Sequence, residues 1–197
     1  MFIEIGGEIR CSGFNKDGKN WVIGIDSPIE NLQKIITRFN KIRPNNRWSL
    51  VCYDAIVSDF HLWSTWISVV TREKNDTMIA NSVDVEFLRL LSGNHQISKA
   101  FEISGLKKGD GNAWIVSIPK LSEQASTELG YISRNSYLDF EDISTELIHR
   151  LGARLLPKRP LPSTSALGKI GIGMNNQNLS SKQMEELLIG AMVLTDL

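Results

Sequence analysis

Cys52, Asp54 and His61 are the residues whose types and spacing come nearest to catalytic chemistry. A thiol or carboxylate beside an imidazole can act as a nucleophile with its base, so these residues define one hypothesis, a small enzyme with an unfamiliar site. The usual motifs are absent, since there is no GxxxxGK[ST] phosphate loop, GxGxxG turn, HExxH pair or GxSxG elbow. Asp54 and Asp59 flank a strand-to-helix turn, where capping is their commoner use. We therefore predict no catalytic residue and no enzyme.

The two cysteines, Cys11 and Cys52, form no CxxC pair, and the histidines form no metal-type pair. We predict that the protein needs no metal and no cofactor. The first residues lack a basic stretch followed by an apolar region, and no apolar stretch approaches the roughly 18 residues of a membrane-spanning helix. We therefore expect a reduced, cytoplasmic protein.

The basic residues are clustered although the formal net charge is zero, with 22 basic and 22 acidic residues. Neutrality argues against a nucleic-acid binder that uses its whole surface. Two runs nevertheless hold several basic residues and no acid, at 31–51 and 147–173. The sequence therefore allows local basic patches.

Hydrophobic periodicity and turn residues place these groups on an α+β fold, with an antiparallel or mixed sheet of about four strands packed against helices. The 197 residues suit a single domain, 1–197, in which 119–178 is an insertion or extended loop region. Residues 157–173, rich in proline and glycine, are predicted to be a loop. The predicted strands lie at 2–9, 21–25, 48–57 and 113–118, and the predicted helices begin at Ser27, Ser58, Ser82, Asn94, Asp139 and Ser180. Gly93 and Gly105 are predicted to end two of these helices with positive φ, and Gln183 to form a capping box with Ser180.

The predicted C-terminal helix, 180–195, is apolar on two faces. A surface helix needs one apolar stripe, so the second has two explanations. Either the helix is wedged into its own core, or one face lies on the domain and the other on a partner protein, with Met192 as an adaptable contact. One stripe holds Met184, Leu187, Leu188, Ala191 and Leu194, and the other holds Ile189, Met192 and Val193.

A resemblance to a known family is carried by residues 86–100, EFLRLLSGNHQISKA, followed by Gly105-Leu106. This segment resembles the signature of the small kinase-binding subunit of the KEOPS complex, the family of the PRPK-binding protein, and suggests an archaeal member. Residues 114–116 and 186–197 resemble the next strand and the C-terminal helix of the same family.

The resemblance implies a non-catalytic regulatory subunit that binds the kinase/ATPase subunit of KEOPS through its C-terminal helix and contacts the other subunits indirectly. It also implies that the protein helps recruit tRNA by the 3′ CCA end for threonylcarbamoyl-adenosine modification. A small enzyme, or a structural oligomerisation domain, remain the alternatives. The residues assigned to the kinase contact are Leu188, Ile189, Met192, Val193 and Leu197, and those assigned to tRNA are Asn94, His95, Gln96 and Lys99.

Overall fold

The computed structural model describes residues 21–25, 29–120, 134–157, 160–170 and 179–195. The predicted strand at 2–9, the predicted cap at Ser27, Cys11 and Leu197 lie outside this part of the chain. In chain order the elements are β1 (Trp21–Ile25), α1 (Leu32–Ile42), β2 (Trp48–Cys52), a 3-10 turn (Tyr53–Ala55), α2 (Asp59–Lys74), α3 (Val83–Leu91), α4 (Ile97–Ser104), β3 (Asn112–Ser117), α5 (Arg134–Leu151), β4 (Ala153–Pro157), α6 (Thr164–Lys169) and α7 (Ser181–Leu194).

These elements divide into two compact units. Of the described residues, those up to Leu50 and those of Lys107–Arg159 form the first unit, and those of Val51–Leu106 and Pro160–Leu197 form the second. The first contains the sheet with α1 and α5, and the second is helical. The α+β class is confirmed. That the chain is one domain, with 119–178 as an insertion, stays a prediction.

The sheet has the strand order β2-β3-β1-β4. β1 pairs antiparallel with β3, with Val22 opposite Trp114, and antiparallel with β4, with Ile23 opposite Leu155. Three of the predicted strands are present. The fourth strand of the sheet is β4, which the sequence reading missed because its pairing partner, β1, lies more than a hundred residues away along the chain.

One prediction for the first unit, the start of α1, needs correction. α1 begins at Leu32 with Asn31 as its cap, whose Oδ1 accepts the Lys34 N–H at 3.0 Å, and not at Ser27. The backbone of Ile29 is committed elsewhere, since its N–H donates to the Asp110 carbonyl at 3.0 Å and its carbonyl accepts the Gly109 N–H at 2.8 Å. The ring of Trp48 stacks on that of Phe140 in α5, with 5.5 Å between the ring centroids, which ties β2 to that helix.

The second unit is a set of helices whose starts the sequence largely predicts. Ser58 Oγ accepts the His61 N–H at 3.0 Å and caps α2, as predicted. Ser180 and Gln183 form the predicted capping box of α7. Within 157–173, however, α6 replaces part of the predicted loop, with Ser163 Oγ accepting the Ala166 N–H at 3.2 Å. A good N-cap therefore overrides the loop-like composition of this segment.

The turn between α3 and α4 differs in detail from its prediction. Gly93 has φ +60°, the left-handed conformation expected after α3. The N-cap position of α4, however, is held by Gln96, whose side chain makes no capping hydrogen bond, and Asn94 Oδ1 instead accepts the Gln96 N–H at 3.0 Å. Gly105, after α4, has φ −76° and not the predicted positive value. Glycine is needed there for space, because a Cβ would lie 2.5 Å from the Phe101 carbonyl oxygen.

Candidate partner-binding surface

α7 buries one stripe of its side chains in the second unit. Met184, Leu188 and Met192 are 9%, 4% and 3% exposed, and they recur every fourth residue on one face. Met184 and Leu188 join a core cluster with Ala166 and Leu167 of α6. Met192 reaches α2, where its Sδ lies 3.3 Å from Thr65 Oγ1. The buried stripe therefore mixes members of both stripes that the sequence suggested.

The opposite side of α7 exposes aliphatic side chains. Val193, Leu194 and Leu187 are 59%, 63% and 40% exposed, and Ile189 is half-buried. We call Leu187, Ile189, Val193 and Leu194 the α7 outer face. Burying each such side chain would gain about 1.5–3 kcal/mol, so together they form an apolar surface suited to a protein partner.

One close contact with the α3–α4 turn holds α7 in this orientation, and a hydrogen bond within α7 closes its last turn. A Cβ built on Gly93 would lie 3.2 Å from the backbone carbon and the Cβ of Ala191, so the α3–α4 turn packs directly against α7. At the end of the helix, Thr195 Oγ1 donates to the Ala191 carbonyl at 2.9 Å. The position of the α7 outer face therefore depends on Gly93, because a larger residue at this point of the turn would displace α7.

α3 is itself fixed by a fully buried ion pair. Arg89 Nη2 donates to Glu86 Oε1 at 2.7 Å, and Arg89 Nε donates to Oε2 at 3.0 Å, with both side chains 0% exposed. The Ala80 N–H also donates to Glu86 Oε2, at 3.0 Å. Burial alone would raise the pKa of Glu86, but the hydrogen bonds from Arg89 and Ala80 outweigh it and lower that pKa.

The comparison with protein families bears on this arrangement. The model of the family described as kinase binding protein CGI-121 matches residues 27–196. The chain belongs to the CGI-121 family of kinase-binding proteins. The family predicted from residues 86–106 is thereby confirmed, whereas archaeal origin stays a prediction. Among curated proteins, no relative matches the sequence.

Several signature residues by which the CGI-121 family was recognised have structural roles in this chain. Glu86 binds Arg89, Gly93 makes room for α7, Ala100 is 1% exposed, and Gly105 makes room for the last turn of α4. Part of the family signature therefore serves the packing of α3 and α4, and Gly93 positions α7. Sequence reasoning missed the role of Gly93 because its contact with Ala191 joins segments about a hundred residues apart.

The structure separates the five residues assigned to the kinase contact. Val193 lies on the α7 outer face and Ile189 at its edge, whereas Leu188 and Met192 point into the core of the second unit, and Leu197 lies outside the described residues. Leu187 and Leu194, which sequence reasoning placed on the other stripe, belong to the exposed set. The side of α7 that faces inward is the one that holds Met184, Leu188 and Met192.

The residues assigned to tRNA lie together at the start of α4. His95, Gln96 and Lys99 are exposed, and Asn94 is half-buried. Lys99 Nζ lies 2.6 Å from Glu102 Oε2, in an ion pair whose side chains are 52% and 64% exposed. Exposed pairs of this kind contribute little to stability, so Lys99 can exchange Glu102 for another anion at small cost.

The residues of the enzyme hypothesis do not form a nucleophile and base. Cys52 Sγ donates to the Ile103 carbonyl at 3.3 Å, and Lys169 Nζ lies 3.8 Å from this sulfur and 3.0 Å from Asp54 Oδ2. His61 is 1% exposed, and neither of its ring nitrogens makes a hydrogen bond. The cavity beside Lys169 measures about 10 Å³, room for about one water molecule.

His61 is neutral at physiological pH. Burial lowers its pKa to about 4, and the backbone of Leu91 only partly opposes this shift. Among the described residues, no three His, Cys, Asp or Glu side chains are placed to hold a metal ion together. No helix in the described part of the chain is both long and apolar enough to span a membrane.

Proposed function

We propose that this protein is a non-catalytic regulatory subunit of the KEOPS complex, which binds the kinase/ATPase subunit through the α7 outer face. The observation that carries the proposal is the division of α7, in which a buried stripe secures the helix and Val193 and Leu194 stay exposed. The kinase-binding family to which the chain belongs supports a kinase as the partner. We assign the contact to Leu187, Ile189, Val193 and Leu194 in place of Leu188 and Met192.

The second part of the proposal is that the start of α4 helps recruit tRNA by its 3′ CCA end for threonylcarbamoyl-adenosine modification, in the cytoplasm. Single-stranded ends are recognised through the edges of splayed bases and a few cations. The start of α4 offers such groups within five residues, namely the imidazole of His95, the exposed amide of Gln96 and the ammonium group of Lys99. A neutral protein suits an auxiliary role of this kind.

The kinase contact is tested by Val193→Asp, measured by calorimetric titration with a KEOPS-type kinase. Loss of an interface anchor costs about 2 kcal/mol or more, which weakens the affinity about 30-fold or more. Ser181→Asp is the matched control, because it adds the same charge to an exposed position of α7 about 18 Å away. Its affinity should equal that of the wild type.

Urea unfolding of both variants provides a stability control. The free energy of unfolding of each should lie within about 0.5 kcal/mol of the wild-type value, because surface substitutions rarely change it more. Unchanged kinase affinity in Val193→Asp would refute the assignment of the surface. Should that variant prove unstable, the smaller change Leu194→Ser provides the same comparison at a more exposed position.

The tRNA part is tested by filter binding of a tRNA transcript with and without its terminal CCA. The proposal expects weaker binding without CCA, and a smaller effect of CCA removal in His95→Ala. Ser98→Ala is the control, because Ser98 is exposed on the same helix but is not assigned to tRNA. Equal binding of both transcripts by the wild type would remove the CCA role from this protein.

A further inference from the structure

α1 exposes three cations along one line. Lys34, Arg38 and Lys41 follow one another at i, i+4 and i+7, which places them on one face of the helix, and all three are exposed. We call these residues the α1 basic face. α1 contains no acidic residue, and none of the three cations forms an ion pair with another described residue.

The helix dipole favours Lys41, which lies in the last turn, but the rest of this arrangement is unfavourable for the helix. Lys34 and Arg38, and Arg38 and Lys41, are like-charged neighbours, which destabilise a helix. Lys34 also lies in the first turn, where the helix dipole repels a cation and no acidic residue offsets it. Neither folding nor the overall composition accounts for the face, since the chain as a whole is neutral. A ligand that carries negative charge in a line would account for it.

The other exposed residues of α1 decide between an anionic membrane and a nucleic acid. They are Gln33, Thr37 and Asn40, which are uncharged and polar, whereas Phe39 is 3% exposed. A helix that binds membranes inserts an exposed apolar face between lipids, and α1 has none. Amide and hydroxyl groups beside cations instead suit phosphate and ribose oxygens.

We propose that the α1 basic face binds the phosphate backbone of double-stranded RNA, namely a stem of tRNA. This inference rests on the proposed function only in taking tRNA as the RNA. Contacts to phosphate position a protein without reading sequence, and double-stranded RNA is recognised by shape and backbone. From Lys34 to Lys41 the face spans about 10 Å, enough for a few consecutive phosphates. The face therefore adds affinity for the RNA without reading its sequence.

The experiment replaces all three cations at once, in the full chain, as K34Q/R38Q/K41Q. The control is K107Q/K108Q/K120Q, which removes the same charge from three other exposed lysines of the first unit. The probes are a tRNA transcript with CCA, the same transcript without CCA, and a blunt RNA hairpin that has no single-stranded tail. Filter binding is measured between 50 and 200 mM salt.

The face variant should bind the hairpin and both transcripts more weakly than the control does. Each phosphate contact steepens the fall of log affinity with log salt by about 0.9. With three contacts, raising the salt from 50 to 200 mM should therefore weaken binding by the wild type about 40-fold more than binding by the face variant. The loss should be the same with and without CCA, and kinase affinity should not change.

Equal losses in the two triple variants would overturn the inference, because they would indicate diffuse attraction with no defined face. It would also be overturned if only binding to phosphatidylserine vesicles fell in the face variant, or if the wild type did not bind the hairpin. The proposed function fails separately. If the face variant binds the hairpin more weakly but removal of CCA changes nothing, recognition of the 3′ end is refuted and the α1 basic face is supported. If removal of CCA weakens binding but the face variant binds the hairpin as the control does, the α1 basic face is refuted and recognition of the 3′ end is supported.

Discussion

Lowering the pH from 7.5 to 5.0 should destabilise this protein through His61. The imidazole is 1% exposed in α2, and neither nitrogen is hydrogen-bonded. Burial lowers its pKa to about 4 from the ordinary value of 6.5. The folded state therefore stays unprotonated at a pH where the unfolded chain takes up a proton.

The sign and size of the effect follow from this difference. Above pH 6.5 both states are neutral at His61, so its contribution to the free energy of unfolding is fully present. As the pH falls, the unfolded state alone gains a proton, and stability drops by about 1.4 kcal/mol for each pH unit. The loss reaches about 2 kcal/mol at pH 5.0 and levels off near 3 kcal/mol below pH 4.

Urea unfolding of the wild type and of His61→Leu, at pH 7.5 and pH 5.0, measures this contribution. Leucine has a volume similar to that of histidine and does not titrate. Any change in packing affects the variant equally at both pH values, so it cancels when the two free energies of unfolding of the same protein are subtracted. The wild type should lose about 2 kcal/mol more than His61→Leu over this range. The control variant His149→Gln removes an exposed imidazole. Its free energy of unfolding should change between pH 7.5 and pH 5.0 by as much as that of the wild type. An equal loss in wild type and His61→Leu would refute the reasoning.

Four further substitutions test the packing of α3 and α7, each by urea unfolding at pH 7.5. Gly93→Val should cost about 1 kcal/mol or more, because the φ of +60° disfavours a side chain and the new Cβ would press on Ala191. Met192→Ala should cost about 2–5 kcal/mol, since Met192 is 3% exposed, whereas Val193→Ala should stay within about 0.5 kcal/mol. Glu86→Gln should cost about 3–5 kcal/mol, because it removes the buried negative charge that pairs with Arg89. A small loss would indicate that water reaches Arg89.

Features that depend on a few neighbouring residues could be predicted from the sequence. Ser58 caps α2, the capping box opens α7, and Gly93 has positive φ, because each involves groups within about four residues of one another. The kinase-binding family was also predictable, since residues 86–106 carry its signature. The assignment of Asn94 as the cap of α4 failed because its side chain had a competing backbone donor, the Gln96 N–H, before the helix begins.

Features that depend on distant residues needed the tertiary structure. β4 could not be predicted because its place in the sheet comes from pairing with β1, and α1 starts late because Ile29 pairs with the chain at Asp110. The spacing of apolar residues was enough to predict that α7 is a helix and that it has more apolar residues than one buried face needs. Which of them face a partner was decided only in three dimensions, where Thr65 and Ala166 cover Met192 and its neighbours and leave Val193 in solvent. Burial is a property of what packs against a residue, and a periodic apolar pattern does not contain that information.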